Sequence, residues 1–138
     1  MNDKRVILSI LWIFLSVNYI FCDVLSIMDP GFFKLLMSGG GESVNQINQG
    51  LLLGFAILVE IPFAMIILSR LLHYRANRWA NIIAGSFMAV IQLLSIVDDK
   101  VTLHYIFYSV IEIGCNSFIV WYAWKWSKPD ESLKIKSN

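Results

Sequence analysis

Two glutamates, Glu60 and Glu112, each stand deep inside a long apolar run. An ionised side chain set against lipid costs on the order of 2.5 to 3.5 kcal/mol, so both are expected to turn away from hydrocarbon and toward each other. Two carboxyls close together in low dielectric cannot both ionise cheaply, and one of the pair is then expected to hold a proton near neutrality. That chemistry suits a proton-coupled or cation-binding site, or a polar anchor for an amphipathic small molecule.

Other polar groups stand at comparable positions: Asn18, Tyr19, Cys22 and Asp23, then Ser86 and Gln92, then Tyr105, Tyr108, Cys115 and Asn116. At about 100° per residue, His104, Tyr105, Tyr108, Glu112, Cys115 and Asn116 fall within an arc of about 120°. Tyr108, Glu112 and Asn116 are successive i, i+4 neighbours, so the carboxyl can accept from a phenol on one side and an amide on the other. Alanines flank the other acid in Ala56-x-x-x-Glu60-x-x-x-Ala64, and small residues let a neighbouring helix come close. Pro62 removes a backbone donor near Glu60. Asn81, Gly85, Met88, Ala89 and Gln92 share one more small and polar face.

A rise of about 1.5 Å per residue sets Asn18, Glu60 and Glu112 roughly 13 to 16 Å below the outer surface, and Asp23, Gln92 and Tyr108 roughly 7 to 8 Å below it. The expected site is therefore a polar track open to the outside, floored by the two glutamates and lined by Asn18, Asn116, Tyr108, Gln92 and Asp23. The competing expectation is that these groups serve only as hydrogen-bonding glue between helices, worth about 0.6 to 2 kcal/mol each.

The elements that hold these residues follow from composition. Of 138 residues, 57% are hydrophobic and 15% charged, against about 45–50% and 25% in soluble domains. A bilayer crossing needs about 20 mostly apolar residues, so the length suits four crossings in one domain, residues 1–128. They are expected at 6–28, 51–72, 79–97 and 103–126, an all-α four-helix transmembrane bundle running up-down-up-down. Asp29-Pro30-Gly31 closes the first, Ser43-x-x-Gln46 forms a capping box before the second, Asp98-Asp99-Lys100 closes the third, and Ser127-Lys128-Pro129 the fourth. Residues 129–138 read as a solvated, disordered cytoplasmic tail.

Lys4 and Arg5, then Arg70, Arg75 and Arg78, then Lys125, Lys128, Lys134 and Lys136 gather at one set of ends, whereas the other loops offer only Lys34 and Lys100. Cytoplasmic loops carry the Lys and Arg excess, so both termini are expected inside, with Trp79, Trp121, Trp124 and Trp126 at the inner interface. Asn77 is expected to cap the third helix, and the nearby arginines to attract anionic headgroups. The first outer connection carries Phe32-Phe33-Lys34-Leu35-Leu36-Met37, read as a short interfacial helix before a glycine hinge. Lys4 and Arg5 ahead of an apolar run suggest a signal peptide, but the run is too long for one and has no small-residue cleavage site.

Net charge of +1 gives no basic surplus for nucleic acid. Cys22 and Cys115 form neither CxxC nor Cys/His spacing, so no metal and no cofactor is expected. His73 and His104 sit near span ends, where snorkelling accounts for them. With no nucleophile motif, no HExxH and no glycine-rich phosphate loop, an intramembrane enzyme using paired carboxyls ranks below two other readings. These are a protein that binds or transports a small solute, proton or lipid-like ligand, and a structural or accessory subunit. Four spans make a thin wall around a pathway, so transport would call for a homodimer.

Two stretches carry a resemblance: Leu11-Trp12-Ile13-Phe14 with Asn18-Tyr19 and Cys22-Asp23 through Met28-Asp29-Pro30, and Glu60-Ile61-Pro62 leading to Arg75-Ala76-Asn77-Arg78-Trp79-Ala80-Asn81. They resemble a family of small, uncharacterised bacterial four-helix membrane proteins defined as a domain of unknown function. The resemblance spans nearly the whole chain and implies a bacterial plasma membrane protein, without implying an activity or any catalytic residue.

Overall fold

The structure, a computed structural model, describes residues 3–38, 49–97 and 101–126. Five helices follow in order: α1 (Lys4–Met28), α2 (Pro30–Met37), α3 (Gln49–Leu71), α4 (Tyr74–Ile96) and α5 (Leu103–Trp124). All but α2 are long and apolar enough to cross a membrane, which gives the chain the character of a membrane protein. The capping box at Ser43 and Gln46, the glycine hinge after Ser38, the Asp98-Asp99-Lys100 stop and the tail from Ser127 lie outside the described residues.

Local chemistry explains the ends. Asp3 caps α1, its carboxylate accepting from the Arg5 amide at 3.0 Å. Asp29 ends α1 in extended backbone and then starts α2, accepting the Phe32 amide on Oδ1 at 2.9 Å. Pro30 occupies the first position of α2, where a missing N–H costs nothing, and a short helix is thus present in this connection as a separate element. α4 begins at Tyr74, five residues before the expected Trp79, so Arg75 and Arg78 belong to the helix and the α3–α4 link shrinks to Leu72 and His73.

Four helices form a ring in which α1 packs on α3 and α5, and α4 packs most extensively on α5 and only lightly on α3. The buried positions explain the packing. On α1 they include Leu8, Trp12, Leu15 and Cys22, on α4 Asn77, Asn81, Ala84 and Met88, and on α5 Ser109, Glu112, Asn116, Ile119 and Ala123. Apart from the full seven-residue step from Leu15 to Cys22, those spacings alternate between three and four, the 3.5-residue repeat of a coiled-coil seam. The seams are rich in Ser, Asn, Gly and Ala, as expected where lipid tails remove the hydrophobic drive between helices and close approach and hydrogen bonds replace it. Gly85 shows the demand: a Cβ there would lie 2.9 Å from Val120 Cγ2 and 3.4 Å from the Asn116 carbonyl oxygen. Outward faces are apolar, for example Ile10, Ile13, Val17, Ile20, Val24 and Ile27 along α1.

The start of α1, the α3–α4 link and the end of α5 meet at one end of the bundle. Lys4 Nζ donates to the Lys125 carbonyl at 3.3 Å, Arg78 Nη2 to the Trp124 carbonyl at 3.0 Å, and the Tyr74 hydroxyl to the Trp126 carbonyl. Lys125 lies 4.5 Å from the Trp121 ring centroid and Arg78 lies 5.7 Å from that of Trp124. Of the four expected belt tryptophans, Trp79, Trp121 and Trp124 are exposed and Trp126 is buried against Tyr74.

Candidate functional site

Near that basic end lies a polar knot the sequence did not announce. Trp12 Nε1 donates to Asn81 Oδ1 at 2.7 Å and Ser69 Oγ donates to the same oxygen at 3.3 Å. Asn81 Nδ2 donates to the Asn77 backbone carbonyl at 2.8 Å and to Asn77 Oδ1 at 2.7 Å. Asn77 Nδ2 donates to the Ser69 carbonyl at 2.6 Å. All four residues are fully buried, and α1, α3 and α4 are tied at one point. The expectation that Asn77 caps α4 is corrected here: it sits in the fourth position of that helix and instead satisfies a carbonyl in the last turn of α3, where free carbonyls need partners.

Toward the other end the inward face of α5 presents Ser109, Glu112 and Asn116, each fully buried. Gln92 reaches from α4 and donates to Ser109 Oγ at 2.7 Å. Asn116 Nδ2 donates both to the Tyr19 hydroxyl of α1 at 2.9 Å and to the Glu112 backbone carbonyl at 3.0 Å. Among the described residues, Glu112 Oε1, Glu112 Oε2 and Asn116 Oδ1 have no hydrogen-bond partner. Three buried acceptors within one turn of helix therefore lack a donor. Asp23, Tyr19, Cys22 and Tyr105 lie within electrostatic reach of Glu112.

The expected pair of glutamates does not form. Glu60 is exposed, because the inward seam of α3 is Pro62, Met65 and Ser69, and at about 100° per residue Glu60 lies roughly 180° from Ser69. Two small or rigid residues and a methionine took the interior, and the acid went outward. Asn18 is not part of the Glu112 layer either, since its amide donates back to the Phe14 carbonyl of its own helix at 2.8 Å. Asp23 is exposed near the C-terminal end of α1, beside the layer and within electrostatic reach of Glu112, and Tyr108 is half-buried with its ring against Phe107. Of the seven residues expected to line the track, the structure gathers Glu112, Asn116 and Gln92, and adds Tyr19 and Ser109.

The missed residues had a signal. Steps of three and four along α5 join Ser109, Glu112 and Asn116, whereas an i, i+4 step from Glu112 points to Tyr108. The true inward face is rotated by roughly 40° from the expected polar stripe. Cys22 is buried and Cys115 half-buried, both as free thiols. No group of three His, Cys, Asp or Glu among the described residues is placed to hold a metal ion.

The model of a family of unknown function, DUF6326, matches residues 1–132, and the chain belongs to that family. No curated protein and no solved structure matches it.

Proposed function

We propose that this is a small multi-pass membrane protein whose interior acid, Glu112, binds a proton or the O–H or N–H donor of a small solute that replaces it. The observation that carries this reading is the set of three buried acceptors at Glu112 and Asn116 without a donor. A bundle interior rarely leaves such groups unpaired, because each unpaired polar group costs free energy that a partner would recover. An ionised carboxylate buried there alone is costlier still. A proton on Glu112 supplies the missing donor and removes the charge, and a ligand donor does the same on exchange. Tyr19 and Gln92 tie the neighbouring helices to this turn of α5, so a change at Glu112 reaches α1 and α4.

The bilayer is the expected solvent, and the topology proposed is up-down-up-down with both termini cytoplasmic. Lys4, Arg5, Arg70, Arg75, Arg78 and Lys125 all belong to the end where α1 begins and α5 finishes, and the positive-inside bias assigns that end to the cytoplasm. A bacterial plasma membrane rests on the resemblance of the sequence alone. A ligand with a lipid-like body fits the same site if its polar head carries the donor.

The experiment is dissipation of a pH gradient in proteoliposomes, comparing the wild type with Glu112→Gln and Glu60→Gln. Loss in the first variant with retention in the second supports the assignment. Equal rates in all three would remove Glu112 from any coupling role. A structural or accessory role is the alternative, favoured by the Trp12–Asn81 knot, where buried polar groups satisfy one another fully and need no ligand; it expects Glu112→Gln to be stable and without phenotype.

A further inference from the structure

The exposed acid on α3 has a different use. Its outward face reads Leu53, Ile57, Glu60, Ala64, Ile67 and Leu71, with steps of four and three alternating. The bulky members of this row are exposed. This is a second seam, opposite the one that packs inside the bundle. An apolar outward row by itself means only lipid, and α1 has one made entirely of Ile and Val. The row on α3 differs by carrying a carboxyl at its middle, near membrane mid-depth, with Ala56 and Ala64 one turn to either side. Among the four membrane-length helices, the apolar stretch of α3 is also the least buried within its own chain.

We propose that this face is the contact of a symmetric homodimer, in which α3 packs on α3 and the two Glu60 side chains meet on the two-fold axis. All copies enter the membrane in one orientation, so a two-fold axis runs along the membrane normal and sets identical residues at equal depth. A carboxylic acid is complementary to itself: each O–H donates to the carbonyl of the other. A polar residue at the centre of a seam also fixes register, since sliding the helices would leave it facing hydrocarbon. The flanking alanines allow the backbones to approach closely enough for the short side chains to touch. The contact is independent of Glu112 and stands or falls separately from it.

The test uses single cysteines in native membrane vesicles on a background with Cys22 and Cys115 replaced by alanine, oxidised with copper phenanthroline. Ala64→Cys and Ile67→Cys are expected to give disulfide dimers, while Val17→Cys on α1 and Val90→Cys on α4 stay monomeric. A second measurement needs no cysteine replacement: energy transfer between wild-type chains fused to donor and acceptor fluorescent proteins, diluted in lipid vesicles. There Glu60→Gln keeps the dimer, because amides also pair, and Glu60→Ala weakens it roughly 3- to 20-fold, the range expected for interhelical hydrogen bonds in membranes. Disulfides of equal yield at all four positions, a monomer at Ala64→Cys, cross-linking of that variant to a different protein, or undiminished transfer in Glu60→Ala would each overturn the proposal.

Discussion

Removing the hydrogen bond between Trp12 and Asn81 tests whether the polar knot organises the bundle. Asn81→Leu keeps the side-chain size close to that of the amide but strips the acceptor that serves Trp12 at 2.7 Å and Ser69 at 3.3 Å. Two interhelical hydrogen bonds at about 0.6 to 1.7 kcal/mol each give a loss of roughly 1 to 3 kcal/mol, to which the lost Asn81 Nδ2 bonds to the Asn77 carbonyl and side-chain oxygen add. Trp12→Phe removes the single donor and some ring contact, while Ser69 keeps its acceptor. The double variant isolates the shared bond, and the coupling energy expected is about 0.6 to 1.7 kcal/mol, above the roughly 0.3 to 0.5 kcal/mol scatter of independent sites. Reversible unfolding in mixed micelles, followed by helix content across a detergent titration, supplies all four corners of the cycle. If the two substitutions add within that scatter, the bond contributes nothing and the knot is a consequence of packing rather than a cause of it.

Further outcomes follow from single residues. Gly85→Ala should destabilise by about 1 to 2 kcal/mol, because its new methyl meets the stiff β-branched Val120 at 2.9 Å. Gly114→Ala meets nothing within 4 Å and should stabilise by up to about 1 kcal/mol through helix propensity; thermal midpoints in detergent compare the two directly. Asp29→Ala removes the cap on the Phe32 amide and should loosen α2 by about 1 kcal/mol, seen as faster amide exchange at Phe32 with no change in α3, α4 or α5. Tyr74→Phe, which loses the bond to the Trp126 carbonyl, should expose Trp126 and shift its fluorescence to the red.

The spans were legible because about twenty apolar residues in a row have few alternatives in water or in lipid. Charge and turn residues then set the ends of α1 and α5 closely, and Asp29-Pro30 marked the break before α2. Arg75 and Arg78 suggest a loop and so a later start for α4, whereas Arg78 bonds to the Trp124 carbonyl from within the first turns of the helix and Arg75 stands exposed on it.

Rotation about the helix axis was harder to read. Cost alone turns a glutamate in an apolar span away from lipid, but cost does not say which protein surface relieves it. On α3, Pro62, Met65 and Ser69 fit the close contact with neighbouring helices, and that packing turned Glu60 away. On α5 no such competition exists, because Ser109, Asn116 and Ala123 are small or polar on the same side as Glu112. Trp12 illustrates the converse: nothing in its own apolar run names the partner of its indole N–H, which is Asn81 on α4, ten residues past the end of α3.

In the proposed site Glu112 is buried in the bundle interior and its carboxyl carries a proton, which supplies the missing donor. Infrared spectra of the protein in lipid bilayers at neutral pH measure it most directly, through the carbonyl stretch that only a protonated carboxyl gives. A carboxylic acid band that disappears in Glu112→Gln and shifts in Asn116→Ala is the expected result. A spectrum of Glu112→Gln superimposable on that of the wild type in this region would contradict it.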